Sequence, residues 1–357
     1  MDKCKKLVEY LLAWYPDHAR DLPWRKDKNP YHVWLSEIML QQTRVEAVKE
    51  YYKRFLQELP SIEALARVEE DRLLKLWEGL GYYNRARNLQ KAALSIVEER
   101  NGRFPDTYEG ILSLAGIGEY TAGAIGSICF DLPTPAIDGN VLRVYTRVME
   151  DSSNIDKQST KKKIRKELEV VYPNGQCGTF TQSLMELGAT VCLPNGAPKC
   201  DECPLQTICL ANEHNSWQKY PVRDEKKSRR LEDKTVFVLQ CGDKIAVRKR
   251  DKKGLLSGMW EFPNVEGVLI EQQAADVATQ WETSPEQMKM NYNYTHIFSH
   301  VEWRMTAYYL VCRQMCRQFH WVTMEELDKE VAMPSAFRPF VDVLRKSDYI
   351  EGGKVNA

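Results

Sequence analysis

Two periodicities divide the chain. From its start to about residue 215, apolar residues recur at three- and four-residue spacing, which marks one face of an α-helix. Val45 to Leu56, Arg85 to Arg100 and Lys161 to Tyr172 carry this pattern. Breaks fall at Pro60, Gly79–Gly81, Pro105, Gly116–Gly118, Pro133–Pro135 and Pro173, and the intervals between them are mostly of helix length. After Trp217 the texture changes. Tyr220 to Lys234 is polar and charged, the composition of a linker. Thr235–Gln240 and Lys244–Arg248 then flank Gly242-Asp243, which predicts a β-hairpin. Trp303–Val311 is rich in aromatic and β-branched residues and predicts a further strand. Glu271–Trp281 and a segment starting at Met324 read as helices. The pattern therefore predicts an all-α domain over 1–215, a linker over 216–233 and an α+β domain over 234–350.

Composition adds little to this division. The 357 residues suit two domains, and 50 basic side chains balance 50 acidic ones. A net charge of zero argues against a protein that coats polyanions. It leaves room for one that grips DNA through backbone amides and local basic patches. Two such runs exist, Lys161-Lys162-Lys163 and Lys226-Lys227-Ser228-Arg229-Arg230; the second alternates with acids and reads as solvated linker. No stretch approaches ~18 apolar residues, and the N-terminus lacks the apolar core of a signal peptide. The expected location is the cytosol.

Ten cysteines fit a reducing compartment, and four of them cluster: Cys192, Cys200, Cys203 and Cys209, spaced C-x7-C-x2-C-x5-C. Such clustering points to metal rather than disulfides. Tetrahedral sulfur coordination suits both zinc and iron–sulfur centres. Zinc ribbons pair two C-x2-C knuckles; a single one here favours an iron–sulfur cluster.

Three further features carry chemistry. Leu114-Ala115-Gly116-Ile117-Gly118-Glu119-Tyr120-Thr121-Ala122 lies between helical segments. Its Gly116 and Gly118 turn would expose amides at a helix N-terminus, where a phosphate binds, although a plain inter-helix connection shares the pattern. Asp138, in Ala136-Ile137-Asp138-Gly139-Asn140-Val141, is either an N-cap or a carboxylate placed beside that anion site, where it could stabilise positive charge. Glu37 is the only acid in Tyr31–Thr43. Burial there would raise its pKa and keep it protonated near neutrality, as a general acid requires; on a helix with one wet face it would be an ordinary exposed acid. One protonated and one ionised carboxyl group is the division used to break glycosidic bonds.

Leu22-Pro23-Trp24-Arg25, Ser36–Thr43, Trp77–Tyr83, Ala115–Ala122, Asp138–Val141 and the four cysteines, in this order, resemble the endonuclease III-like superfamily of DNA glycosylases. Within it the chain is similar to the branch that removes adenine mispaired with 8-oxoguanine. The resemblance implies a helix-hairpin-helix glycosylase domain with a 4Fe–4S cluster, then a Nudix-like domain. It implies that Glu37 protonates the leaving adenine and then helps activate water. Asp138 would stabilise the oxocarbenium-like transition state, with Tyr120 and Asn140 lining the same site. Trp24, Arg25 and Gln182 match the flipped-adenine pocket; Gln42, Thr43, Leu80 and Tyr82 match residues that probe the base stack; Phe298, Ser299 and His300 match the loop that senses 8-oxoguanine. The implied partner is duplex DNA holding an A·8-oxoguanine or A·G mispair, bound by a monomer in a bacterial cytosol.

Three departures qualify the picture. The superfamily's strand-cleaving members carry a lysine at the position of Tyr120, so a monofunctional glycosylase is expected. The first cysteine gap holds seven residues rather than the usual six, within the turn-forming Leu193–Lys199. The acidic helix of a Nudix hydrolase is missing: Glu271-Gln272-Gln273-Ala274-Ala275-Asp276 does not supply it, which argues for binding rather than pyrophosphate hydrolysis. The competing readings are excision of another base, such as thymine from G·T, and a non-catalytic DNA-binding or redox-sensing cluster protein.

Overall fold

The structure is a computed structural model and describes residues 2–225 and 228–346. Lys226 and Lys227 of the second basic run, and residues 347–350 of the expected second domain, lie outside the described residues. The helices are α1 (Asp2–His18), α2 (Pro30–Leu40), α3 (Val45–Glu58), α4 (Ile62–Arg67), α5 (Glu70–Leu76), α6 (Asn84–Arg100), α7 (Tyr108–Leu112), α8 (Glu119–Phe130), α9 (Gly139–Met149), α10 (Gln158–Glu169), α11 (Cys177–Thr190) and α12 (Leu210–Glu213). Beyond them come β1 (Arg230–Cys241), β2 (Lys244–Lys249), β3 (Trp260–Glu261), β4 (Asn264–Glu266), α13 (Glu271–Gln280), β5 (Pro285–Ile297), β6 (Val301–Cys312), β7 (His320–Thr323), α14 (Met324–Lys329) and α15 (Arg338–Lys346). The chain forms two compact units. Residues 2–67 and 87–225 make the first; 68–86 and 228–346 make the second.

The first unit is helical. Helix α8 is apolar all round, EYTAGAIGSICF, and everything from Thr121 to Ile128 is buried. A helix without a polar face has to be the centre of a bundle, and α2, α7 and α11 pack on it. Helix α11 also lies against α1 and α9, closing a core of Leu7, Leu11, Val144, Phe180, Leu184 and Leu187. Close approach depends on small residues. A Cβ on Gly123 would lie 2.5 Å from the carbonyl oxygen of Pro135. That contact lets α8 press against the strand-like segment leading into Asp138, which N-caps α9 through a bond from the Val141 amide.

The second unit contains a mixed sheet in the order β3-β2-β1-β6-β5, with β4 also on β1 and β7 on β2. The expected hairpin forms, with Gln240 opposite Ile245. β1 runs parallel to β6 and β5 antiparallel to it. α13 covers one face at Phe237, Leu239, Tyr308 and Leu310; Phe337, Phe340 and Leu344, at and around α15, cover the other at Trp303, Met305 and Tyr309. The fold class is therefore the expected one, a helical domain followed by an α+β domain.

Two details were not visible in the pattern. The stretch 216–233, read as linker, is ordered at both ends: Trp217–Lys219 form a 3-10 turn, and β1 begins at Arg230. Residues 68–86, which the helical periodicity assigned to the first domain, belong by packing to the second unit.

Gly123→Ala should destabilise the chain by about 1–3 kcal/mol, the usual cost of overpacking, because the obstacle is backbone rather than a movable side chain. Denaturant titration of the variant beside the parent measures it.

Candidate active site

One cavity of about 340 Å³ in the first unit gathers most of the residues singled out from the sequence: Trp24, Arg25, Glu37, Gln42, Thr43, Tyr120, Asp138, Asn140 and Gln182 all line it. Its volume lies at the small end of the ~300–1,000 Å³ usual for ligand sites. The first turn of α8 and the N-cap of α9 supply Tyr120 and Asp138, while α2 supplies Glu37 from within.

Glu37 is 6% exposed, so it is the buried acid and not the wet one. The Tyr120 hydroxyl donates to its Oε2 at 2.6 Å. Burial pushes the Glu37 carboxyl up to about 7 and the nearby Asp138 charge adds to this, while the Tyr120 bond and Arg25 act against it. Burial beside the two carboxyl groups drives the Tyr120 phenol well above its ordinary value.

Asp138 is held differently. The Val141 amide donates to Oδ1 at 2.7 Å and the Asn140 side-chain amide to Oδ2 at 2.7 Å. Burial leaves this carboxyl above its ordinary value, and the two N–H donors limit that rise. The N-cap reading and the functional reading are therefore compatible: the same carboxylate caps α9 and faces the cavity. Asn140 is fixed in turn, since Arg143 donates to its Oδ1 at 2.9 Å. Gly188 permits this arrangement, because a Cβ there would come within 2.5 Å of the Asn140 Cβ.

The far wall is a clamp that the sequence reading missed. Arg25 donates to Glu186 Oε2 at 2.7 Å, and Arg20 to Glu186 Oε1 at 2.6 Å. Glu186 is fully buried. Burial would raise its carboxyl, but Arg20 and Arg25 outweigh that and hold it below the ordinary range. The signal was present: Glu186 is a lone acid in Phe180–Gly188, as Glu37 is in its helix. Tyr15 donates to Gln182 Oε1 at 2.8 Å. Trp24 is 6% exposed and packs edge-on to Tyr52.

The hairpin turn between α7 and α8 has Gly116 at φ 76°, and a Cβ there would strike Asn88. Gly118 N-caps α8 without any side-chain bond, so the first-turn amides have no side-chain cap. Leu80, Tyr82, Phe298, Ser299 and His300 do not line the cavity; they belong to the second unit. There Leu80 is buried and Tyr82 is 47% exposed at a left-handed φ of 48°. The Tyr82 hydroxyl lies 2.9 Å from Ser299 Oγ. The 298–300 turn is closed by the Phe298 amide donating to Val301 and by Arg230, whose amide donates to the His300 carbonyl.

The four clustered cysteines line one small cavity with Arg147 and Trp217. Arg147 donates toward Cys192 Sγ at 3.3 Å, and Arg143 to the Cys192 carbonyl at 2.8 Å. Both arginines are buried. Four thiols beside the buried Arg147 guanidinium group form a donor set suited to an anionic sulfur-ligated centre. Among the described residues, no set of three or more metal-ligating side chains converges on a point that would hold a single ion.

The profile of HhH-GPD superfamily base excision DNA repair proteins matches residues 35–174, and that of the NUDIX domain matches 235–343. An adenine DNA glycosylase of Buchnera aphidicola is 38% identical over 258 residues, covering 72% of this chain and 74% of that one. An adenine DNA glycosylase of Mus musculus is 32% identical over 398 residues, covering 93% and 77%. The solved structure of a thermostable thymine-DNA glycosylase superimposes with a TM-score of 0.55 at 28% identity, over 60% of this chain and 98% of that one. An endonuclease III–DNA covalent intermediate shares the fold at a TM-score of 0.50 and 23% identity, over 58% of this chain and 94% of that one. With such relatives matched over about three quarters of their length, the chain belongs to the adenine DNA glycosylases, within the HhH-GPD superfamily of base excision DNA repair proteins.

Proposed function

We propose that the chain hydrolyses the N-glycosidic bond of adenine mispaired with 8-oxoguanine, or with guanine, in duplex DNA, acting as a monomer in a bacterial cytosol. The observation that carries this reading is the unequal pair of carboxyl groups in one cavity. Glu37, with its carboxyl near 7, is protonated in a useful fraction at neutral pH. Asp138 receives N–H donors on both oxygens, which favour its charged form against the burial that raises it.

The chemistry then balances. Glu37 gives its proton to a ring nitrogen of adenine, and the electron pair of the C1′–N bond leaves with the base. The positive charge on the sugar develops beside ionised Asp138. A water attacks C1′ and returns a proton to Glu37, so the acid is regenerated. The bond is reachable only if adenine leaves the stack; Trp24, Arg25 and Gln182 then hold it, and Gln42, Thr43, Leu80 and Tyr82 fill or probe the vacated stack. The bare N-terminus of α8, beyond Gly116 and Gly118, suits a backbone phosphate. Phe298, Ser299 and His300 read the opposite base. Position 120 holds a phenol, which cannot form a Schiff base, so the DNA strand should remain intact. The NUDIX-matched domain binds rather than hydrolyses.

The cysteine loop supports a 4Fe–4S cluster on Cys192, Cys200, Cys203 and Cys209. When bound, the cluster would cross-link the four thiolates and set negative charge beside Arg147. The seven-residue gap lies in Leu193–Lys199, closed by the Lys199 amide donating to the Val191 carbonyl at 3.0 Å, and so forms a turn that tolerates an extra residue. Elemental analysis of the purified chain should find iron and acid-labile sulfide in equal amounts and no zinc; zinc alone would replace the assignment.

Single-turnover adenine release from an A·8-oxoguanine duplex, with A·G and G·T duplexes beside it, tests the reaction. Adenine should leave the first two and thymine should stay in the third, with strand breaks appearing only after alkali. Glu37→Gln should lower the rate on A·8-oxoguanine by about 10²–10⁴; an unchanged rate refutes the acid.

The same residue should couple activity to stability. Raising a carboxyl from its ordinary 4.5 to about 7 on folding leaves stability that is intact below pH ~4.5 and lost as pH rises through about 7. At ~1.4 kcal/mol per unit the loss is roughly 3 kcal/mol at most. Glu37→Gln should therefore unfold at a higher temperature than the parent at pH 9, and with little difference at pH 5.

A further inference from the structure

The turn that carries Leu80 and Tyr82 follows α5, and α5 packs within the second unit. Lys75 and Glu78 supply shielded bonds of that attachment. Lys75 Nζ donates to the Val331 carbonyl at 2.9 Å and to the Leu327 carbonyl at 3.3 Å. Leu327 O is among the last four carbonyls of α14, which have no partner inside the helix, and a cation there also meets the negative end of the helix dipole. Glu78 completes the joint. It accepts from the Met333 amide at 3.1 Å through one oxygen and pairs with Lys75 at 2.7 Å through the other. The Lys75 side chain is 12% exposed and that of Glu78 is 20% exposed, so these bonds are largely shielded from water. Farther out, Lys249 pairs with Asp71 at 2.7 Å, between two half-exposed side chains where such a pair contributes little.

The attachment has a direct geometric consequence. Glu78 is two residues from Leu80 and four from Tyr82. The turn between is tightly specified: the Trp77 indole N–H donates to the Gly81 carbonyl at 3.1 Å, and Arg85 donates to the carbonyls of Leu80 and Gly81 at 3.0 and 3.1 Å. Tyr82 sits in a left-handed conformation that a tyrosine rarely adopts, and its hydroxyl meets Ser299 Oγ at 2.9 Å. A turn this constrained moves as a block with whatever holds its ends.

We propose that Lys75 and Glu78 are positioning residues for reading the base opposite adenine: they latch α5 onto the end of α14 and so hold Tyr82 in register with Ser299. Neither touches substrate. The two readers, one probing the stack and one probing the lesion's edge, are set against each other by bonds within a single folded unit. This inference rests on the proposed lesion-reading role of Ser299.

The test uses the full chain, with single-turnover adenine release on A·8-oxoguanine and A·G duplexes. Lys75→Met and Glu78→Gln should each reduce the preference for A·8-oxoguanine over A·G by about tenfold, as expected for losing charge-assisted bonds in a shielded joint. The A·G rate should change less than about threefold, and Lys75→Arg, which keeps charge and donors, should restore part of the preference. A merely structural role would lower both rates together along with thermal stability, and that outcome, or an unchanged preference, overturns the latch. Ser299→Ala separates the two readings. If it leaves the preference intact, the lesion-reading role fails and the latch falls with it. If it lowers the preference while the Lys75 and Glu78 variants do not, the latch alone fails.

Discussion

Taking carboxyl groups out of water is the constraint around which the first unit is arranged. A buried carboxylate is expensive unless it is paired or hydrogen-bonded, and the ordinary escape is to take up a proton. Three acids meet that constraint in three ways. Glu186 stays charged because Arg20 and Arg25 close on it. Asp138 is steadied by two N–H donors at the start of α9. Glu37 has the hydroxyl of Tyr120 for a partner, and its carboxyl rises to about 7. The differences follow from donor strength: a guanidinium brings full charge, an amide at a helix N-terminus brings partial charge, and a phenol brings only a dipole. A fold that made all three environments alike would lose the distinction between a carboxyl that can carry a proton near neutrality and one paired in its charged form.

Glu186 gives that arrangement a second use. By holding Arg25 from behind, it fixes a cation at the cavity wall near Glu37, where Arg25 already acts against protonation. Removing the clamp would therefore disturb the wall and the acid together. The cavity is a coupled electrostatic object, and the buried apolar helices α2 and α8 are the dielectric that makes the coupling strong.

The sequence was most readable where a signal is local. The periodicity of Val45–Leu56 became α3, Asp138 preceded its helix, and Gly242-Asp243 turned the expected hairpin. Glu37 was legible because a lone acid in an apolar stretch has few comfortable environments. Glu186 carries the same signal, but its partners Arg20 and Arg25 lie more than 160 residues away in the chain, so nothing local marks its role. Strand β5 was missed although Tyr292, Tyr294 and His296 alternate with Asn291, Asn293 and Thr295. Those aromatics are only half-buried, and polar residues fill the other face, so no apolar run announces a strand. The assignment of 68–86 to the second unit had no local signal at all. It depends on Lys75 and Glu78 meeting residues some 250 positions later.

The cysteine loop illustrates the same limit from the opposite side. Its spacing identifies four related thiols, and Cys192 lies more than fifty residues beyond Asp138 in the chain. In space the separation is bridged by one side chain. Arg143 donates to the Asn140 carboxamide, which donates to Asp138, and the same guanidinium group reaches the carbonyls of Gly188 and Cys192. Arg147, one turn further along α9, reaches the sulfur of Cys192 itself. Helix α9 therefore begins on a carboxylate of the cavity and runs past the cysteine loop with two buried cations on one face. A charge change at the thiols would be felt by Arg143 and Arg147 at short range and low dielectric, and Asn140 passes the position of Arg143 on to Asp138. The loop therefore meets α9 at two arginines, one of which also fixes Asn140 beside Asp138.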